Sequence, residues 1–386
     1  MSCSKIFSGD LTELTYEVIK YFQNDLSTLH SCILVNRLWC RLAIPLLWEN
    51  PFSIHTGNYN FIEIYLHSLN DDFKINKYKI INKSSHSNIL FNYPRFLKYL
   101  NTNEFIFSVD KWYKLVTSTT NSEDIVTDLK KLTDICVSLF KIFIENEVNL
   151  HTLEIEISSY QTCFSIIFDE LILKNTNFIH NIRNLNLYYV YNYKENSVIK
   201  NRISQMINLQ QNLKKILINF HGTERQNSYQ IINLIENIKQ NLNYLSFNII
   251  YDIYDTEIRC TNSIILQILG QALPSKLEYL CLNIFQIKVN DFEVFLRNSM
   301  GTFIKKLLIY NSHGQRILPL IKTYIMKKKR VKYLAINESL RLSFSDNVKE
   351  LISLEDEVNE FKLYNIEVQS YSGLLINSCD YVKEIN

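Results

Sequence analysis

Glycine and proline are scarce in this sequence, with 7 and 5 residues among 386. Glycine has no side chain and therefore lets a backbone approach a phosphate closely. No two glycines stand at the spacing of a GxGxxG or a GxxxxGK[ST] loop, so nucleotide-binding loops of these kinds are excluded. The GxSxG nucleophile elbow of many hydrolases is absent as well.

Paired metal-ligand spacings are also lacking, although the chain has eight cysteines and eight histidines. No two cysteines form a CxxC pair, and no two histidines stand four residues apart as in HExxH. We therefore predict that the protein holds no metal and no cofactor. Together with the missing nucleophile and phosphate motifs, this predicts a protein that is not an enzyme.

Long apolar runs and a strong net charge are missing too. No stretch of 18 apolar residues exists, and Asp10 and Glu13 interrupt the region where the apolar core of a signal peptide would stand. The formal net charge of +2 gives no reason to expect nucleic acid as a partner. We expect a cytoplasmic and/or nuclear protein with free thiols and no membrane contact.

Residues 11–48 are rich in large apolar side chains at helical spacing. Asp25 is predicted to cap the second of these helices, and Pro45 is predicted to end it. A segment of roughly 40 residues can hardly bury so many large groups internally. Some of them are therefore expected to meet another surface.

This segment resembles an F-box of a large fungal family whose members continue into leucine-rich repeats. The resemblance rests on Leu11, the pair Asp25–Leu26, "LVNRLW" at 34–39 and the second tryptophan, Trp48. It implies that residues 1–50 form an N-terminal helical F-box, which binds the adaptor Skp1 and, through it, a cullin. The residues that it implies for adaptor binding are Leu11, Thr12, Leu14, Val18, Leu26, Leu29, Val35, Trp39 and Trp48.

The opening of the segment departs from the family pattern. An F-box usually begins with Leu-Pro, whose proline contributes to the contact with Skp1, and this chain has Leu11–Thr12. A second framing places the opening at Leu14, with Glu17 as the acidic residue. A plainer alternative is that residues 1–50 are a helical cap on a larger domain.

Residues 51–147 are predicted to be a helical linker region. Helices are predicted at 58–69, 93–100 and 122–147 from their apolar spacing. The stretch 70–88 is rich in Asn, Lys and Ser, so a mobile loop is expected near residues 70–90.

The pattern apolar-x-x-apolar-x-apolar recurs eight times after this region, at intervals of 27 to 35 residues. Such a period indicates a solenoid. The eight strands predicted from it begin at Leu150, Ile182, Leu213, Leu242, Leu277, Ile304, Val331 and Val358. Helices are predicted between them at 227–241, 261–273 and 315–330.

A strand and a helix in each unit resemble the leucine-rich repeat. The resemblance implies an α/β fold in which residues 148–386 form an irregular, degenerate solenoid, with parallel strands inside and helices outside. The asparagine expected three residues after the last apolar strand position is absent from every repeat. The alternative is an ordinary α/β domain with an unrepeated sheet.

Side chains between the apolar strand positions point to the opposite face of the sheet. From the second strand onward, the later of each such pair is Asn or Tyr: Tyr188, Asn219, Asn248, Asn283, Tyr310, Asn337 and Tyr364. This row is polar and almost uncharged, and its tyrosines offer a large contact area, so we predict a face that binds a target protein. The alternative is that Asn and Tyr are merely frequent in this chain.

These resemblances imply a non-catalytic substrate-recognition subunit of an SCF-type E3 ubiquitin ligase, with an unknown target protein. The alternative is a repeat-based interaction scaffold that does not engage the ligase. Five basic residues lie between Lys327 and Lys332 and fit a nuclear-import or nucleic-acid patch. We favour a solvated helix end, because Val331 already begins the next strand.

Overall fold

The structure is a computed structural model of an α/β chain with a ten-stranded, largely parallel sheet. It describes residues 11–53, 59–67, 90–117, 125–157, 175–189, 205–206, 212–221, 241–250, 258–339 and 348–376. The loop predicted at 70–88 lies outside these ranges, as does the helix predicted at 227–241 except for Asn241. Two compact units are present: residues 1–154 with 160–181, and residues 155–159 with 182–386. The boundaries predicted from the sequence, at residues 50 and 147, stay predictions.

The first unit opens with three helices, α1 (Thr12–Tyr21), α2 (Leu26–Ile33) and α3 (Arg37–Leu47). Helix α2 begins where the sequence predicts, because the Asp25 carboxylate accepts a hydrogen bond from the Thr28 N–H at 3.1 Å. The three helices share a buried core made of Ile19, Leu29, Cys32, Trp39, Ala43 and Leu46. The segment thus buries part of its large side chains within itself.

The single helix predicted between Asp25 and Pro45 is divided into two, which corrects the sequence prediction. The Asn36 side chain accepts a hydrogen bond from the Trp39 N–H at 2.9 Å and starts α3. Pro45 lies inside α3 and does not end it. It stands in the last turn, where its missing amide costs one hydrogen bond, and the Trp48 N–H still donates to the Ile44 carbonyl at 3.1 Å.

The rest of the first unit packs around aromatic rings. Its further elements are α4 (Phe61–Leu66), β1 (Tyr99–Asn101), α5 (Thr102–Thr117), α6 (Ile125–Glu145), the first half of β2 (Thr152–Ile157) and α7 (Thr176–Ile179), with 3-10 turns at Pro51–Ser53 and Tyr93–Phe96. The Phe105 ring lies 5.0 Å from Phe52 and 5.1 Å from Phe140, between centroids. Tyr65 lies 5.3 Å from Phe143 in the same way. These edge-on contacts hold the helices together.

Strand β1 was missed by the sequence prediction, which placed a helix over 93–100. Of the predicted helix, only Tyr93–Phe96 is helical, as a 3-10 turn. Tyr99 pairs in parallel register with Thr152 of β2. Leu97 and Leu100 have the same spacing as Leu150 and Leu153, but Thr102 occupies the third apolar position, so the repeat pattern is incomplete in this strand.

The second unit carries the remaining strands. They are β3 (Asn184–Tyr189), β4 (Lys215–His221), β5 (Tyr244–Ile250), β6 (Lys276–Phe285), β7 (Phe303–Ser312), β8 (Val331–Ser339), β9 (Val348–Glu350) and β10 (Glu367–Val368). Strands β3 to β8 pair in parallel in sequence order, β10 pairs in parallel with β8, and β9 pairs antiparallel with β8. Seven of the eight predicted strands therefore correspond to β2 through β8.

Among the described residues of this unit, helices occur after strand β5. They are α8 (Ile258–Ala272), α9 (Val289–Asn298), α10 (Leu318–Ile321) continued by a π-helical turn (Lys322–Met326), α11 (Glu355–Leu363) and α12 (Tyr371–Leu374), with a 3-10 turn at Leu351–Ser353. Helix α8 confirms the helix predicted at 261–273. The helix predicted at 315–330 is present only as α10 and the π-helical turn.

The eighth predicted strand is wrong, because Val358–Leu363 lies in helix α11. Three acidic residues, Glu355 to Glu357, occupy the first turn, where they favour the positive end of the helix dipole. Phe361 is the buried anchor of this helix. The strand that joins the sheet is β10, only two residues long, and Tyr364 follows the helix and is not a strand residue.

Two polar side chains on β7 and β8 form hydrogen bonds with the backbone of the segment that follows the preceding strand. Asn311 on β7 is fully buried, and its side-chain oxygen accepts the Ile287 N–H at 3.1 Å while its amide group donates to the Gln315 carbonyl at 2.8 Å. Glu338 is its register partner on β8 and accepts the Ile317 N–H at 3.0 Å. The repeat pattern predicts the asparagine one residue later, at Ser312, and therefore does not predict this pair of residues.

We predict that Asn311→Ala lowers the free energy of unfolding by about 2–4 kcal/mol, because it leaves the buried Ile287 N–H without a partner and removes the bond to the Gln315 carbonyl. Asn290→Ala makes the same chemical change at an exposed position of α9 and is expected to stay within about 0.5 kcal/mol. Urea unfolding measures both. Equal effects of the two substitutions would contradict a bonded role for Asn311.

Burial raises the pKa of Glu338. The folded chain therefore binds this proton more tightly than the unfolded chain, whose glutamates titrate at about 4.3. The free energy of unfolding is expected to fall as pH rises from that value to the raised pKa of the folded state, and to stay level above it. Glu338→Gln stays neutral, so its stability relative to the wild type should increase over that range in urea unfolding. A difference that does not change with pH would contradict this assignment.

Candidate protein-interaction site

Helix α1 exposes a row of large apolar side chains. Leu14, Val18 and Tyr21 stand at i, i+4 and i+7, so they lie on one side of the helix, and they are 50%, 45% and 86% exposed. The opposite side of the helix contributes Ile19 to the buried core. The exposed row therefore takes no part in that core.

The second helix and its end add further exposed apolar groups. Leu26 is the first residue of α2, and Leu34 and Val35 follow its last turn, with Leu34 83% exposed. We name the whole set the apolar helical surface: Leu14, Val18, Tyr21, Leu26, Leu34 and Val35. The continuous exposed row of Leu14, Val18 and Tyr21 on one side of α1 is typical of a surface that binds a partner.

The residues expected to contact Skp1 divide between surface and core. Leu14, Val18, Leu26 and Val35 belong to the apolar helical surface, and Thr12 is also exposed. Leu29 and Trp39 are core residues, so they support the helices and offer no surface to a partner. Tyr21 and Leu34 are exposed residues that were not predicted, because the sequence shows their apolar character but not their exposure.

Two expected contact residues are half-buried. Leu11 is the residue before α1, and its carbonyl accepts the Thr15 N–H at 3.0 Å. The Trp48 ring lies 4.3 Å from the Tyr93 ring and 5.2 Å from the Tyr65 ring, between centroids. Trp48 therefore joins the helices to the aromatic packing of the first unit.

The second unit aligns the predicted target-binding residues. Six of them are register partners across six neighbouring strands: Tyr188, Asn219, Asn248, Asn283, Tyr310 and Asn337. We name this set the Asn/Tyr row. The Asn248 amide donates to the Asn219 side-chain oxygen at 2.6 Å, which links the side chains of β4 and β5 directly. Tyr364, the seventh predicted member, lies outside the row because it follows helix α11 and is not a strand residue.

A buried row runs beside the Asn/Tyr row on the same face. Its members are Asn186, Leu217, Ser246, Cys281, Leu308 and Ala335, which are also register partners. All six are less than 9% exposed, and the last three are almost completely buried. We name this set the middle row.

A third row, on the other side of the middle row, is aromatic and cationic. It contains Lys215, Tyr244, Tyr279, Lys306 and Tyr333. The Tyr244 and Tyr279 rings stack with centroids 6.1 Å apart, and the Lys215 ammonium lies 4.2 Å from the Tyr244 ring centroid. On β6 to β8, where the middle row consists of Cys281, Leu308 and Ala335, this sheet face therefore presents an apolar strip between two rows of groups able to form hydrogen bonds.

The chain covers part of this face with its own residues. Leu374 on α12 is 4% exposed and belongs to one buried cluster with Cys281, Leu308 and Ala335. The Tyr371 hydroxyl lies 3.4 Å from the Cys281 sulfur. Burial raises the pKa of both the Cys281 thiol and the Tyr371 hydroxyl. No local sequence pattern predicts this contact.

The basic run 327–332 divides into exposed and buried groups. Lys327, Lys328 and Lys329 are exposed. Arg330 is buried, and its guanidinium donates to the Thr302 carbonyl at 3.2 Å and to carbonyls at the end of α9. The arginine therefore satisfies helix-end carbonyls that would otherwise lack donors.

Comparison with known proteins adds no relative: no family model and no curated protein matches the chain. Within the described residues, no three or more His, Cys, Asp or Glu side chains are grouped so that they could hold a metal ion. None of the described helices is both long and apolar enough to cross a membrane.

Proposed function

We propose that the protein is a non-catalytic substrate-recognition subunit of an SCF-type E3 ubiquitin ligase. Residues 1–50 would act as an F-box that binds Skp1, and residues 148–386 would act as a degenerate leucine-rich-repeat solenoid that binds the target protein. The observation that carries the proposal is the apolar helical surface, which coincides with the segment whose sequence resembles an F-box.

The division of that segment into core and surface supports the adaptor contact. Its core is complete without the exposed side chains of α1 and α2. Each fully buried Leu or Val contributes about 1.5–3 kcal/mol, so covering several of them would sustain a stable complex. The exposed leucine and valine side chains therefore contribute little to the stability of the helices and remain available to a partner.

The order and pairing of the strands support the solenoid. Parallel strands that follow one another in sequence order, with helices between them, are what a strand-and-helix repeat produces. Asn311 and Glu338 support it further, because each accepts a backbone N–H from the loop of the preceding repeat. The Asn/Tyr row would then be the part of the face that contacts the target.

The alternative function is a repeat-based scaffold that does not engage the ligase. Thr12 favours it, since this residue stands where an F-box normally has proline. In the structure, Thr12 is the first residue of α1, a position at which proline is favourable. The chain thus keeps the helix and lacks the residue that contributes to the adaptor contact.

We predict that Leu14→Asp together with Val18→Asp weakens binding to purified Skp1 at least about 100-fold. Two apolar contacts of roughly 1.5 kcal/mol each are replaced by carboxylates, and every 1.4 kcal/mol changes an affinity tenfold. Isothermal titration calorimetry measures the change. Leu29 is not suitable for this test, because Leu29→Asp would place a charge in the helix core.

The matched control is Leu115→Asp together with Leu129→Asp, which charges two exposed leucines of α5 and α6. This control variant should bind Skp1 as the wild type does. If the Leu14/Val18 variant binds like the control, or the wild type shows no binding at all, the scaffold is the better description.

We predict that Thr12→Pro leaves the thermal unfolding temperature unchanged or higher and tightens the binding of Skp1. Proline has a backbone angle suited to the first helical position, and it restores the usual Leu-Pro opening. A folded Thr12→Pro variant with unchanged affinity would favour the framing that begins at Leu14.

A further inference from the structure

After strand β10 the chain turns back over the sheet face. The Gln369 N–H donates to the Leu334 carbonyl at 2.9 Å and is the last bond of this strand to the sheet. Ser370 then caps helix α12, because its hydroxyl accepts the Gly373 N–H at 3.1 Å. The next residues, Tyr371–Ile376, lie against the rows of β6 to β8, and we name them the return segment.

The return segment contacts the face through three residues at i, i+3 and i+5. The Tyr371 ring lies 5.8 Å from the Tyr310 ring of the Asn/Tyr row, between centroids. Leu374 enters the apolar cluster of the middle row. The Ile376 N–H donates to the Tyr279 hydroxyl at 3.4 Å, and its side chain packs against the same cluster.

The residues between these three contacts do not pack against the sheet face. Ser372, Gly373 and Leu375 are exposed, and Leu375 remains 40% exposed although it is apolar. A helix of four residues has almost no stability of its own in water. The segment therefore stays in place because of the three anchors and the hydrogen bonds at its start, and not because of its own secondary structure.

The contacts cross all three rows. The Tyr371 ring meets the Asn/Tyr row, Leu374 meets the middle row, and the Ile376 N–H meets Tyr279 in the third row. The apolar strip thus accepts an aliphatic side chain, while flanking tyrosines accept a ring and a backbone donor. These are the contacts by which a groove recognises a short peptide.

We propose that the face of β6 to β8 is a peptide-binding site which the return segment occupies in cis. The partner it fits is a protein carrying an aromatic residue, an aliphatic residue three positions later and another two positions after that, as in Tyr371-x-x-Leu374-x-Ile376. Such a partner displaces the return segment and takes its three anchor positions. The inference rests on the proposed function only in taking this partner to be the target of the ligase.

Tethering makes the occupied site selective. A segment joined to its site by a short link is present at an effective concentration of about a millimolar. A free peptide of the same sequence is therefore excluded at micromolar concentrations, because it competes with the tethered copy. Only a partner with additional contacts, such as the Asn/Tyr row along β3 to β5, binds to the wild-type chain.

The test uses the full chain with Leu374→Asp, since a carboxylate does not enter the apolar cluster. A fluorescein-labelled synthetic peptide, QSYSGLLI (residues 369–376), is titrated with this variant and followed by fluorescence anisotropy. We expect saturable binding to the variant and binding at least about tenfold weaker to the wild type. The peptide that carries Asp in place of its first leucine should bind neither.

Leu375→Asp is the matched control, because it places the same charge on the adjacent, exposed leucine. It should behave as the wild type. A second readout is the alkylation rate of Cys281 by iodoacetamide, followed by peptide mass spectrometry. We expect the Leu374→Asp variant to label Cys281 at least about tenfold faster than the wild type, with Cys136, fully buried in α6, unchanged.

Two results would overturn the proposal: Cys281 labelling in the Leu374→Asp variant at the wild-type rate, or exposed Cys281 without peptide binding. If faster Cys136 labelling or a lost thermal transition shows that this variant unfolds, Tyr371→Ala replaces it in the same two assays and decides in the same way. Skp1 binding is measured on the same proteins. If the proteins bind the peptide but do not bind Skp1, the ligase assignment is rejected and the peptide-binding site is still supported.

Discussion

Parallel pairing of the strands β3 to β8, residue against residue without a shift, is the constraint on which the second unit depends. Because each strand keeps the register of its neighbour, side chains at equivalent positions form continuous rows. The Asn/Tyr row, the middle row and the aromatic and cationic row all follow from it. A slip of one residue would send each row to the opposite face and place polar amides in the core.

The repeating apolar pattern was enough to predict strands β2 to β8 and the members of the Asn/Tyr row, because periodicity reports which side chains share a face of a strand. It failed where another local preference was stronger. At Val358–Leu363 an acidic first turn favoured a helix, and at Asn36 a side-chain cap divided what looked like one helix. It also failed for β1, since three residues are too few to show a period.

The division of the candidate sites into core and surface could not be read from the sequence. Leu26 and Leu29 are one turn apart on the same helix, and packing in the core shared by α1, α2 and α3 decides that the first is exposed and the second buried. The contact between Tyr371 and Cys281 joins residues 90 positions apart. No local pattern encodes such a contact, because it depends on how many repeats lie between the two residues.

The two shortest strands of the second unit have a consequence for assembly. A parallel sheet with a bare outer strand offers its backbone donors and acceptors to any other extended chain, which promotes aggregation. On β8, residues 333–334 are paired with β10 and residues 337–339 are paired with β9. Only short intervals of this strand remain for a foreign strand to pair with. The last long strand is therefore shielded from edge-to-edge association by five residues of the chain's own backbone.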